Sequence, residues 1–320
     1  LAVPALAFGF EFRKSERRSG FLHTRSEDLL VEDITVLRQA LPYIQRFKGK
    51  TFVVKFGGEA IDDEQVLERL IEDVALLHLV GIRVVLVHGG GKQMTETASA
   101  LGIETKFVGG RRVTDNQTLD VVKMVLAGKL SVELLSALKR RGVRAMSVSG
   151  VAAGVIEAKK RPPRKVSGGG DEPIDFGHVG DIIRIDTELI DMLLAKDYLP
   201  VLSPLGADDE GNVFNINADV VATRLAAELR AEKLLLMTGT PGVMEDIDDP
   251  TTVISRLTAA DARKAIDDKV IKGGMIPKLE ESMKAIEAGC GSVHVLSALE
   301  PHQLLLEIFT KSGCGTMLVP

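Results

Sequence analysis

Residues 82–92 read Ile82-Arg83-Val84-Val85-Leu86-Val87-His88-Gly89-Gly90-Gly91-Lys92. A β-branched apolar run of this length is a strand buried on both faces, and the glycines that follow make a turn whose backbone N–H groups stand open to a ligand. A helical pattern resumes from Gln93 to Ala100. Strand, glycine turn and helix is the grammar of a parallel α/β sheet that meets anions at the carboxyl ends of its strands.

The same grammar stands upstream. Thr51-Phe52-Val53-Val54-Lys55-Phe56-Gly57-Gly58 is again an apolar strand ending in glycines, with an amphipathic helix from Asp63 to Leu79 behind it. Further strands are expected at Arg83 to Val87, Arg144 to Val148, Leu199 to Ser203, Lys233 to Met237 and Ser292 to Leu296. Helical stripes cover Asn116 to Arg140, Thr187 to Ala195, Ala218 to Leu229, Thr258 to Asp267, Ile276 to Ala288 and Pro301 to Thr310. Their alternation predicts a mainly parallel sheet with helices on both faces. Short alternating stretches, Thr105 to Val113 and Ala153 to Lys159 with Val179 to Ile185, predict hairpins standing off the sheet as a lid, and Arg161 to Pro173 predicts a loop inside the second.

The 320 residues carry 40 basic and 45 acidic side chains, a net charge of −5, and are 45% apolar. That supports a large core and argues against a nucleic-acid footprint, because basic residues cluster only at Arg13 to Arg18 and Lys159 to Lys165, which read as solvated loops. No apolar run approaches the roughly 18 residues of a membrane helix. Cys290 and Cys314 have no CxxC partner and no metal-ligand spacing, so reduced thiols in a cytoplasmic compartment are expected. Leu1 to Phe10 is apolar and precedes Arg13-Lys14 and Arg17-Arg18, the reverse of a secretory signal's charge order. Residues 1–26 are expected to be a disordered tail, with an organellar transit remnant as the alternative.

Lys55 in VVKFGG and Lys278 in GGMIPK each stand beside paired glycines. Phosphoryl transfer asks for little covalent help but for close neutralisation of charge spread over the transferred oxygens. Two lysines with the amides of Gly57, Gly58, Gly89, Gly90 and Gly91 supply that, without metal ligands of their own. His88 reads as a turn residue rather than a catalyst. No GxxxxGK[ST] loop is present, and Gly168-Gly169-Gly170 follows no strand-to-helix pattern, which sets aside Walker and dinucleotide sites.

Taken in order, VVKFGG, LVHGGG, RRVT, GHVG, NINAD, GGMIPK and GCGTML resemble the amino acid kinase family, and within it the acetylglutamate kinases, from Thr51 to Val319. The resemblance implies a three-layer α/β/α sandwich around a mainly parallel sheet of about eight strands. It implies an oligomerisation helix over 27–48, an acyl-amino-acid-binding lobe over 49–205 and a nucleotide-binding lobe over 206–320. The reaction implied is transfer of the γ-phosphoryl group of ATP, with Mg2+ on the nucleotide phosphates, to the side-chain carboxylate of N-acetyl-L-glutamate in arginine biosynthesis. A carboxylate is ionised already and needs no general base.

On that resemblance Lys55 serves the acceptor side of the transferred group, Lys278 the donor side, and Asp219 of Asn215-Ile216-Asn217-Ala218-Asp219 orients both. Gly90 and Gly91 bind the acceptor near the transferred group, Arg112 grips its α-carboxylate in a forked pair, with Arg111 as the rival, and Asn215 bonds the acyl-amino part. The nucleotide is expected against Gly57, Gly58, Thr238 and Gly242, and against Val270, Ile271, Lys272, Gly273 and Gly274. Thr238-Gly239-Thr240 lacks the acid that relatives carry there. Small residues at Ser149 to Gly154 leave N-succinylglutamate or another N-acyl amino acid as an alternative acceptor.

The stripe Leu30, Ile34, Leu37, Leu41 and Ile44 resembles the N-terminal helix that joins arginine-inhibited relatives into hexamers. His294, Glu307 and Gly313 match their arginine site. A dimer is the other expected assembly, and a non-catalytic sensor of arginine or nucleotide is the remaining alternative function.

Overall fold

The computed structural model describes residues 38–166, 170, 172–271 and 273–320. The expected tail over 1–26 lies outside the described residues, as does the expected helix over 27–48 as far as residue 37; residues 38–47 are helical (α1). Pro42–Pro320 forms one unit, and all that follows concerns it.

After α1 come β1 (Thr51–Phe56), α2 (Gly58–Asp62), α3 (Glu64–Leu79), β2 (Arg83–His88), α4 (Gly91–Ala100), β3 (Phe107–Val108), β4 (Arg111–Arg112), α5 (Asn116–Lys123) and α6 (Ser131–Arg140). Then follow β5 (Ala145–Ser149), β6 (Ile156–Lys160), β7 (Gly180–Ile185), α7 (Glu188–Ala195), β8 (Leu199–Ser203), β9 (Leu205–Ala207), β10 (Val213–Asn215) and α8 (Ala218–Glu228). The last third holds β11 (Lys233–Thr238), β12 (Arg256–Thr258), α9 (Ala259–Asp267), α10 (Met275–Glu287), β13 (Val293–Ser297), α11 (Gln303–Phe309) and β14 (Thr316–Val319).

Eight strands form one sheet in the order β12-β14-β13-β11-β1-β2-β8-β5. Pairing is parallel except between β13 and β14. Side chains alternate across it as a pleat requires. Phe52, Val54 and Phe56 of β1, Val84 and Leu86 of β2, and Leu235 and Met237 of β11 join a core shared with α3, α6 and α11. Val53, Val85, Val87, Leu234 and Leu236 point the other way, into a core shared with α8 and α10. This is the expected α/β/α sandwich. Strands from the first two thirds of the chain make one half of the sheet and those from the last third the other, and they meet where β1 pairs with β11.

Local signals start the helices. Asp63 caps α3 by accepting from the N–H groups of Gln65 at 2.8 Å and Val66 at 3.1 Å, and Thr258 and Asp261 form a reciprocal capping box on α9. Both expected hairpins are present: β3 pairs β4 antiparallel, and β6 pairs β7 antiparallel within a four-stranded sheet β10-β9-β6-β7.

The helix expected unbroken from Asn116 to Arg140 instead widens into a π-helical segment, Met124–Leu130, between α5 and α6. The Ser131 hydroxyl donates to Leu126 O, five residues back, at 2.8 Å. This wide turn carries Leu126 and Leu130 onto Gly90. A Cβ on Gly90 would press into Leu130 and stand 2.9 Å from Leu126 Cδ2, so the glycine turn and the π-segment fit each other only without a side chain. Gly90→Ala is expected to lose about 1–3 kcal/mol of stability in urea denaturation, as overpacking does, and Leu130→Ala to cost less in that background than in the wild type.

Candidate active site

Lys55 lies on β1 with the parity of Val53, so it points to the α8 side of the sheet, and it is buried. Asn217 caps α8, its side chain accepting from Asp219 N at 2.8 Å and Val220 N at 3.3 Å. That places Asp219 in the first turn, where the positive end of the helix favours an acid. Lys278 comes from the start of α10.

The three side chains meet. Lys55 Nζ lies 2.7 Å from Asp219 Oδ1 and Lys278 Nζ donates to Asp219 Oδ2 at 2.8 Å. Burial alone would raise the Asp219 pKa, but the two ammonium groups outweigh it and hold it down to about 2. Both lysines line a cavity of about 970 Å³ at the carboxyl ends of β1 and β11.

Gly57, Gly58, Thr238, Gly242, Val270, Ile271 and Gly274 line the same cavity. Gly273 precedes Gly274 with φ of +62° and is not among the lining residues, and Lys272 lies outside the described residues. At the place where Gly239 stands for an acid, the Thr238 hydroxyl donates instead to Thr240 O at 3.0 Å. Glu245, Asp246 and Asp248, just beyond, also line the cavity. These acids went unread in the sequence, as did Asp62 and Lys92, which also line it. Lys92 had a signal, since it directly follows Gly89-Gly90-Gly91.

On the other glycine turn, Arg112 Nη2 donates to Gly91 O at 2.6 Å and to Thr95 Oγ1 at 2.8 Å, while its guanidinium carbon lies 4.7 Å from the centre of the Phe107 ring. Its Nη1 is buried and has no hydrogen-bond partner among the described residues. Burial pulls the guanidinium pKa down. Asn215 Nδ2 donates to Thr114 Oγ1 at 3.3 Å, two residues along the chain from Arg112. Arg111, the rival, is exposed. His88 is fully buried, with Nδ1 at 3.0 Å from Gly89 O, and burial lowers its pKa to about 4, so it is a neutral turn residue at pH 7.

The third expected group is brought together but closed. His294 Nδ1 and Glu307 Oε1 lie 2.6 Å apart, and Glu307 Oε2 accepts from Cys314 N at 2.7 Å and Gly315 N at 3.3 Å. Lys233 Nζ lies 2.9 Å from His294 Nε2. An ammonium only donates, so Nε2 accepts and Nδ1 carries the proton that goes to Glu307. Gly313 has φ of +63°, and a Cβ there would come within 2.6 Å of Glu307 Oε2.

A model of the amino acid kinase family matches residues 50–297. The chain belongs to the amino acid kinase family. Acetylglutamate kinase of Methanocaldococcus jannaschii is 45% identical to it over 90% of this chain and 97% of that one. Acetylglutamate kinase of Carboxydothermus hydrogenoformans is 43% identical over 91% of this chain and 99% of that one. Among solved structures, N-acetylglutamate synthase from Neisseria gonorrhoeae, complexed with coenzyme A and N-acetyl-glutamate, superposes with a TM-score of 0.76 at 27% identity. That match covers 90% of this chain, which spans 63% of the synthase chain. Carbamate kinase from Giardia lamblia bound to AMP-PNP, at 17% identity and a TM-score of 0.61 over 85% of this chain and 98% of that one, shares the fold.

Because Asp219 is held below its ordinary pKa of 3.8, its share of stability is complete above pH about 4 and is lost as pH falls through about 2. Urea titrations from pH 6 to pH 2 are expected to show this loss in the wild type and a smaller one in Asp219→Asn. The same variant is expected to lower kcat by about 10²-fold or more, the usual effect of disordering preorganised charge.

Proposed function

We propose that this chain transfers the γ-phosphoryl group of ATP to the side-chain carboxylate of N-acetyl-L-glutamate, giving ADP and N-acetyl-L-glutamyl 5-phosphate. The observation that carries the reading is the two ammonium groups held on one carboxylate at the wall of a cavity of about 970 Å³. Membership of the amino acid kinase family and the curated relatives named acetylglutamate kinase support the choice of acceptor.

In this reaction an oxygen of the acceptor carboxylate attacks Pγ, the bond from Pγ to the β,γ-bridging oxygen breaks, and ADP leaves with that electron pair. No proton has to move, which suits a site whose one glycine-turn histidine is buried and neutral. Lys55 stabilises the transferred group from the acceptor side and Lys278 from the donor side, while Asp219 keeps both in place. Gly57, Gly58, Thr238, Gly242, Val270, Ile271, Gly273 and Gly274 hold the nucleotide, and Gly90 and Gly91 offer amides to the acceptor. The unpartnered, buried Nη1 of Arg112 suits an α-carboxylate, and Asn215 the acyl-amino group. Among the described residues no group of three or more His, Cys, Asp or Glu side chains could hold a metal ion, so Mg2+ would be carried by the nucleotide phosphates and water. When bound, that ion would neutralise phosphate charge.

On this reading the half of the sheet from residues 49–205 serves the acceptor and the half from 206–320 the nucleotide. Arginine inhibits through His294, Glu307 and Gly313. Among the described residues Glu307 Oε1 accepts only from His294 Nδ1 while Oε2 accepts from two backbone amides, so an inhibitor's guanidinium would share Oε1 with His294 or displace it. The helix over 27–48 joins chains into a dimer or hexamer. No described helix is long and apolar enough to cross a membrane; the cytoplasm is the proposed location.

Release of ADP, followed by a coupled assay with N-acetyl-L-glutamate, N-succinyl-L-glutamate and L-glutamate, tests the reaction. Turnover with the acetyl compound in clear excess over the others is expected, and ATP hydrolysis that ignores every acceptor would contradict the reading. L-Arginine is expected to inhibit the wild type and to lose that effect in Glu307→Ala.

A further inference from the structure

Asp62 stands at the junction of two helices. It ends α2, the five-residue helix opened by Gly57, and directly precedes the cap of α3. The next residue, Asp63, already caps α3. The Asp62 side chain is instead held from the start of α4. Asp62 Oδ1 accepts from Gln93 Nε2 at 2.6 Å, and Asp62 Oδ2 lies 3.4 Å from Lys92 Nζ. Lys92 and Gln93 are the second and third residues of α4, directly behind Gly89-Gly90-Gly91.

Both arms of this tie are anchored. On one side α2 buries Ala60 and Ile61 in the core under α3, so it cannot swing freely. On the other, Gln93 is buried beside Gly90. Asp62 and Lys92 also line the cavity that holds Lys55 and Lys278. One carboxylate therefore connects the glycine turn at the end of β1 with the glycine turn at the end of β2.

We propose that Asp62 is a positioning residue for phosphoryl transfer: held by Lys92 and Gln93, it clamps the two glycine turns at the separation across which the phosphoryl group moves. This rests on the reaction proposed above. The turns bind opposite partners in that reaction, and a misplacement of about 1 Å between reacting atoms lowers a rate by about 10²-fold. A clamp of this kind acts on kcat and leaves the affinity of each substrate, bound by its own turn, nearly unchanged.

Steady-state kinetics of folded Asp62→Ala, Asp62→Asn and Gln93→Met, with ATP and N-acetyl-L-glutamate varied in turn, test the clamp. Asp62→Ala is expected to lower kcat by about 10- to 100-fold with both KM values within about threefold of wild type. Asp62→Asn, which keeps an acceptor for Gln93 Nε2, is expected to lose less. Gln93→Met is expected to lower kcat and, combined with Asp62→Ala, to add nothing further, since both remove one tie.

An unchanged kcat in folded Asp62→Ala, with only the melting temperature lowered, would overturn the clamp in favour of a purely structural contact. A tenfold rise in KM for ATP at constant kcat would overturn it in favour of direct nucleotide binding. If Asp62→Ala does not fold, Gln93→Met carries the same test. The wild-type rate separates the two claims: no turnover overturns the reaction and the clamp with it, whereas a kcat undiminished by Asp62→Ala overturns the clamp alone.

Discussion

Two ammonium groups share the carboxylate of Asp219, at 2.7 Å and 2.8 Å, and the rest of the site depends on that sharing. Unpaired charges of one sign a few ångströms apart repel by roughly 4 kcal/mol at the effective dielectric of a protein surface. Left alone, the lysines would part or lose a proton. One half-buried acid between them removes the conflict and leaves a net positive charge facing the cavity. The depressed pKa of Asp219 is the other face of the same balance, since its burial is tolerated only because both lysines are there.

The fold exists around this triad in a definite way. A parallel sheet presents all its strand ends on one side, and the middle strands β1, β2 and β11 end at Gly57, Gly89 and Gly239. The pleat turns Lys55 toward α8, the Asn217 cap sets Asp219 in the first turn of that helix, and α10 packs against α8 with Lys278 at its start. Each placement follows from strand parity, a cap or a helix start, so the charges are fixed by rigid elements rather than by loops.

Much of this was legible in the sequence for the same reason. Buried central strands read as continuous apolar runs, and glycines after them mark the turns, so β1, β2, β8 and β11 and the lysine beside each glycine pair stood out. What stayed hidden lacks a periodic signature. The three-residue strands β9, β10 and β12 are too short to alternate visibly, and β14 follows a glycine- and cysteine-rich stretch. The π-segment after Lys123 leaves the apolar stripe intact and changes only the hydrogen-bond step. Asp62 reads as one of two adjacent acids at a helix start, and only the fold shows that one of them caps α3 while the other reaches across to α4. Glu307 entered only through the resemblance, as part of an expected arginine site, and nothing in the sequence showed that backbone amides and His294 already engage it.

The central claim concerns where the moving phosphoryl group sits relative to the shared carboxylate. A crystal structure with MgADP, aluminium fluoride and N-acetyl-L-glutamate tests it most directly, because the planar fluoride mimics the group in flight. The account predicts Lys55 Nζ and Lys278 Nζ both within hydrogen-bonding distance of that plane, still bonded to opposite oxygens of Asp219. A plane bound out of reach of either lysine, or an Asp219 that releases both, would contradict it.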